Sequence, residues 1–122
     1  MALLFYSNAG LTTELTTVTT QHDSAGESKE IQVFIANKDS GFRYEDIVVT
    51  PEDTATPPDE TSWIQVGLTQ GNYQAPGASL TIGNIDDNVA HSFWVRITTA
   101  NVGTAQNKTD LRLNATFKEF AV

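Results

Sequence analysis

Residues 90–99 read Ala90-His91-Ser92-Phe93-Trp94-Val95-Arg96-Ile97-Thr98-Thr99, and apolar and polar side chains alternate along them with a period of two. That period belongs to an extended strand, whose successive side chains leave on opposite faces. Phe93, Val95 and Ile97 share one face; Trp94, Arg96 and Thr98 share the other. The pattern returns in Asp110-Leu111-Arg112-Leu113-Asn114-Ala115-Thr116-Phe117, with Leu111, Leu113, Ala115 and Phe117 set against Arg112, Asn114, Thr116 and Lys118. The two runs predict consecutive antiparallel strands at the end of the chain, and they set the class as all-β.

Working outward, the same reading places further strands at Leu3 to Ser7, Leu15 to Thr20, Lys29 to Ala36, Asp46 to Thr50, Ser62 to Leu68 and Ser79 to Ile82. Gly, Pro, Asn and Asp separate these runs, and no helical periodicity is sustained beyond about two turns. The expectation is a sandwich of seven to eight mostly antiparallel strands, Ig-like or jelly-roll, occupying residues 1–122 as a single domain. Ile31, Val33 and Ile35 join Phe93, Val95, Ile97, Leu111 and Leu113 as the expected core. Asn37-Lys38-Asp39-Ser40-Gly41 reads as a turn, because Asn and Asp side chains bond nearby backbone and Gly41 tolerates positive φ. The stretch from Thr50-Pro51 to Pro57-Pro58-Asp59-Glu60 reads as a break, since proline lacks the ladder's donor. Gly83 to Asn88 reads as a polar loop anchored by Ile85.

A chain of 122 residues hides roughly two-thirds of its unfolded surface on folding, enough for one core without staples. Cysteine is absent, which excludes disulfides, thiolate metal sites and a cysteine nucleophile. Fifteen acids against seven bases leave a net charge of −8. That charge repels phosphate backbones and anionic lipid, so neither nucleic acid nor membrane is an expected partner. It also serves plain solubility. The first fifteen residues show neither a basic n-region nor a long apolar stretch, so the expectation is a chain made in the cytoplasm.

The search for chemistry yields no catalytic set, no cofactor motif and no metal centre. The two histidines, His22 and His91, lack metal-ligand spacing, and capping or turn bonding is their simpler role. Of the acidic clusters, Asp86-Asp87-Asn88 is the densest in oxygen donors, yet it matches no defined calcium loop. The aromatic residues carry more information. Alternation puts Trp94 opposite Phe93 and Val95, and Phe34 opposite Val33 and Ile35, so both are either covered or presented on a surface.

Ile31-Gln32-Val33-Phe34-Ile35-Ala36-Asn37, Tyr44-Glu45-Asp46-Ile47-Val48-Val49, Ser62-Trp63-Ile64 and Ser92-Phe93-Trp94-Val95-Arg96-Ile97 together resemble an Ig-like sandwich over residues 29–117. The resemblance implies that the late Phe-x-Val strand pairs with the C-terminal one; the Cys pair of antibody-type domains is missing. The ending Gln106-Asn107-Lys108-Thr109-Asp110-Leu111-Arg112-Leu113 and the abrupt start resemble small virion proteins of tailed bacteriophages. That resemblance implies a non-enzymatic structural role in a phage particle, as capsid decoration or as a neck or tail component. Its partners would be the major capsid or other virion proteins and further copies of itself, and its location the virion. Leu3, Leu4, Phe5, Phe34 and Trp94 are the candidate interface residues. Residues 1–20 are then an apolar assembly arm or, equally, the first strand of the chain's own sandwich. A carbohydrate-binding or adhesin module is the alternative, with Trp63, Tyr73 and Trp94 as stacking faces.

Overall fold

In the computed structural model two antiparallel sheets pack face to face, and the structure describes residues 3–16, 20–22, 28–53, 63–98, 106–108 and 111–122. Nine strands run in chain order: β1 (Leu3–Tyr6), β2 (Thr20–His22), β3 (Ser28–Asn37), β4 (Phe42–Asp53), β5 (Ile64–Gly67), β6 (Leu80–Ile85), β7 (His91–Thr98), β8 (Gln106–Lys108) and β9 (Leu111–Ala121). The first sheet has the order β1-β3-β7-β5 and the second β6-β4-β9, while β2 and β8 form a short two-stranded ribbon. No α-helix occurs among the described residues. The molecule is thus an all-β sandwich of four strands packed against three.

Alternation does the work it was expected to do. Val33, Ile35, Phe93, Val95, Ile97 and Leu111 are buried, and with Tyr44, Ile47, Val49, Ile64, Val66, Leu80 and Ile85 they join the two inner faces into one core. Ile31 and Leu113 pack against this core half-buried. At the turn after β3, Asn37 Nδ2 donates to the Phe42 carbonyl at 2.7 Å, and Asp39 Oδ1 accepts from Gly41 N at 2.8 Å. The turn is built by those side chains; Gly41 does not use a left-handed φ.

Four expectations are corrected by the pairing. β7 and β9 do not pair with each other: β7 lies between β3 and β5, whereas β9 pairs along β4 in the opposite sheet. Two strands with the same alternation satisfy either arrangement, and the segment 99–110 between them, which contains β8, is long enough to reach the other sheet. β4 does not stop at Pro51 but continues to Asp53, with Pro51 opposite Leu113. Its ladder with β6 ends at Val49–Leu80, so among the described residues no strand pairs with that side of β4 at Pro51 and asks it for a donor. β6 runs through Gly83 to Ile85, because Ile85 is core and Gly83 absorbs a φ of +100°. Finally, Leu15 and Thr16 belong to no strand; of the rest of that expected strand, residues 17–19 lie outside the described residues and Thr20 opens β2. The proline-rich stretch 54–62 lies outside the described residues.

The N-terminal apolar run is the edge strand of the chain's own first sheet, with Leu3–Tyr6 paired to Phe34–Asn37. Its far edge is closed by the loop that follows: Leu15 N donates to the Phe5 carbonyl and Ser7 N to the Thr13 carbonyl, both at 2.9 Å.

Candidate functional site on the outer face of the four-stranded sheet

Register determines what the outer face displays. Across β3, β7 and β5, Gln32 stands opposite Trp94, Glu30 opposite Arg96, and Gln65 opposite Arg96 on its other side. Phe34 is flanked by Tyr6 and Ser92, and Leu4 is opposite Ala36. One row therefore runs Trp94 then Arg96 along β7, between the amide and carboxylate side chains of β3 and the amide of β5.

A loop completes the row. Residues 68–79 fold back over β5, where Gln74 N donates to the Val66 carbonyl and Gly77 N to the Ile64 carbonyl, each at 2.9 Å. Gly67 permits this approach: a Cβ there would lie 2.0 Å from the Asn72 carbonyl oxygen. The loop delivers Tyr73, whose ring is 4.7 Å from the Arg96 guanidinium carbon and whose hydroxyl donates to the Glu30 carboxylate. Arg96 Nε and one Nη also donate to Gln65 Oε1, at 3.0 and 2.8 Å. Burial, followed by the bond to Glu30, pushes the Tyr73 hydroxyl up to about 12. Arg96 is thus held flat by an aromatic ring, an amide and a nearby carboxylate, with Trp94 half-buried beside it on the same face.

The five candidate interface residues separate by this geometry. Leu4, Phe34 and Trp94 belong to the outer face and are half-buried. Leu3 is 2% exposed and sits in the core. Phe5 faces inward, edge-on to Phe93 with ring centroids 6.0 Å apart. Neither Leu3 nor Phe5 belongs to the outer face, because alternation along a four-residue strand sends them both to the inner side. Tyr6, on the outer side, is covered: Lys38 lies 5.7 Å from its ring centre, and burial together with Glu14 raises its hydroxyl above the ordinary range. Trp63 packs on the core and does not join Tyr73 and Trp94 in one stacking face.

The acidic loop has other duties. Asp87 Oδ1 accepts from His91 Nε2 at 2.7 Å, which holds the Asp87 carboxyl below the ordinary range. Asn88 Nδ2 donates to the Asn37 carbonyl at 3.0 Å, tying the loop to the neighbouring turn. No group of three His, Asp or Glu side chains that could hold a metal occurs among the described residues, and the His22 side chain lies outside them.

No protein-family model matches this chain, and no curated protein matches it in sequence. The reading of the site rests on its own geometry. Glu30 and Gln65, and the partners of Tyr73, escaped sequence reasoning because Tyr73 is 43 residues from its hydrogen-bond partner and Arg96 is 31 from Gln65. Only the sheet register brings them together. A signal existed for part of the cluster: Gln32, Phe34, Trp94 and Arg96 fall on the outward rows of two alternating runs.

Proposed function

We propose that this chain is a non-enzymatic structural protein that docks through the outer face of its four-stranded sheet. The observation that carries this reading is the outward row in which Trp94 lies next to Arg96, itself stacked on Tyr73, with Phe34 further along the same face. Aromatic side chains and an ordered guanidinium are the residues that anchor protein interfaces. They are pre-ordered here, so little side-chain entropy is lost on docking. The assembly it joins is a phage particle, with the major capsid or another virion protein as partner and capsid decoration as the role. A neck or tail position uses the same surface. The similarity of the Gln106–Leu113 region to small virion proteins supports that choice of particle.

The test is mass spectrometry of purified particles from a phage carrying this chain. Decoration requires tens to hundreds of copies per particle, and a Trp94→Ala chain, folded by circular dichroism, should be lost from them. Particles devoid of the chain sink the reading.

One observation favours a second reading, a carbohydrate-binding module. Arg96, Glu30 and Gln65 ring Tyr73 with donors and acceptors next to the Trp94 indole, the combination that grips a sugar by stacking and hydrogen bonding. Quenching of tryptophan fluorescence by an oligosaccharide, abolished in Trp94→Ala and in Arg96→Ala, would select it over particle docking.

A further inference from the structure

We infer that β9 is the seam of a two-fold homodimer, in which the three-stranded sheets of two copies join into one six-stranded sheet. The inference stands apart from what the outer face of the other sheet binds.

The sandwich treats its edges unequally. β1 is covered by residues 13–15 and β5 by residues 74–77, through the backbone bonds already described. β6 is six residues long and is interrupted by the left-handed Gly83. β9 is eleven residues long, pairs with β4 along one side, and has no second strand among the described residues. A long edge of unpaired donors and acceptors is a template for another strand. Beside it lies a groove of about 290 Å³ between β9 and β1, lined by Leu3, Phe5 and Leu15 on one wall and by Leu113 and Ala115 on the other.

The occupant is identified by the residues along the edge. Side chains opposite one another in an antiparallel ladder share a face, so a strand pairing with its own copy has its axis through a residue. Placing that axis at Thr116, the midpoint of Leu111–Ala121, pairs all eleven residues. On the outer face Thr116 then meets Thr116, Asn114 meets Lys118, and Arg112 meets the ring of Phe120. On the inner face Ala115 meets Phe117, small against large, and sets the Phe117 ring of the second copy at the mouth of the groove. Leu113 meets Glu119, whose carboxylate is already held by the Tyr44 hydroxyl at 2.7 Å. No like charges face each other. With the axis at Ala115, Arg112 would oppose Lys118 twice over; at Phe117 the ladder would shorten, leaving Leu111 and Arg112 unpaired.

Charge agrees with this choice. β9 carries two of the seven basic residues and one of the fifteen acids, so this edge of a −8 chain does not itself present an acidic face to a second copy. Arg112 and Lys118 are themselves neutralised within the sheet, by Glu52 and Asp46. A complete ladder adds about ten backbone hydrogen bonds, since alternate pairs exchange two each.

Sedimentation equilibrium of the full chain tests the seam. The expected mass is twice 13.3 kDa, falling to 13.3 kDa on dilution. Thr116 is exposed, so Thr116→Lys and Thr116→Glu leave the fold intact while setting like charges together on the axis. Each variant alone should be monomeric, and an equimolar mixture should recover the dimer. Asn114→Lys, which opposes Lys118, should also be monomeric. A wild-type chain that stays monomeric at every concentration overturns the inference, as does a Thr116→Lys or Asn114→Lys chain that dimerises undiminished, or a charge-swapped pair that fails to recombine.

Discussion

Phe93 is fully buried, with Phe5 edge-on against it, whereas Leu113, in the same kind of alternating run, is half-buried at the groove beside β9. The two positions should respond differently to truncation. Phe93→Ala should cost about 3–5 kcal/mol, through lost transfer energy and the cavity left behind. Leu113→Ala removes fewer buried contacts and should cost ~1–2 kcal/mol. Urea unfolding of both variants checks the ranking, and equal losses would contradict this placement of Leu113. Tyr73 supplies a pH-dependent term. Its hydroxyl is pushed up to about 12 from the ordinary 10.0, first by burial and then by the hydrogen bond and charge of the Glu30 carboxylate. A folded value above the unfolded one means that the stabilisation is fully present below pH 10 and is lost as pH rises toward 12. Comparing wild type with Tyr73→Phe should therefore show a constant difference in unfolding free energy below that window and a shrinking one within it.

At the scale of elements, the informative features are the places where regular pairing is interrupted. β4 carries a bulge at Asp46, where the register shifts against both β6 and β9 and φ reaches +53°. Asn84 Oδ1 accepts from Asp46 N at 3.1 Å and so satisfies the donor that the bulge takes out of the ladder. The bulge lets Tyr44 and Ile47 both face the core although they are three residues apart, a phase change that strict alternation does not anticipate. The loop after β5 is the second such feature. Gly67→Ala should push residues 72–73 off the strand and destabilise the chain by roughly 1–3 kcal/mol, the range for overpacking. Because Tyr73 rides on this loop, the same variant should lose the late tyrosine ionisation near pH 12, read as absorbance at the phenolate band. Retention of that ionisation would show that the loop does not depend on the bare Cα of Gly67.

For the molecule as a whole, the two proposals fall on separate surfaces: docking on the outer face of the four-stranded sheet, and self-association on the β9 edge of the three-stranded sheet. They belong to opposite sheets, so Trp94→Ala should abolish particle docking without altering the sedimenting mass, and Thr116→Lys should do the reverse. Much of this was legible along the chain. The class, most strand positions, the buried rows containing Val33, Ile35, Phe93, Val95 and Ile97, and the outward placement of Phe34 and Trp94 all follow from side-chain alternation, which is a local property of extended backbone. Partner choice among strands is not local. β7 and β9 carry the same in-and-out pattern, and only the closing of the whole sandwich assigns one to β3 and β5 and the other to β4. The same closure made Leu3–Tyr6 the edge strand of the chain's own first sheet, extended β4 through Pro51, and brought Tyr73, Glu30, Gln65 and Arg96 into one cluster. Which face a residue occupies is thus written into its immediate neighbours, whereas which residues meet across strands depends on loop closure and packing, summed over the entire chain.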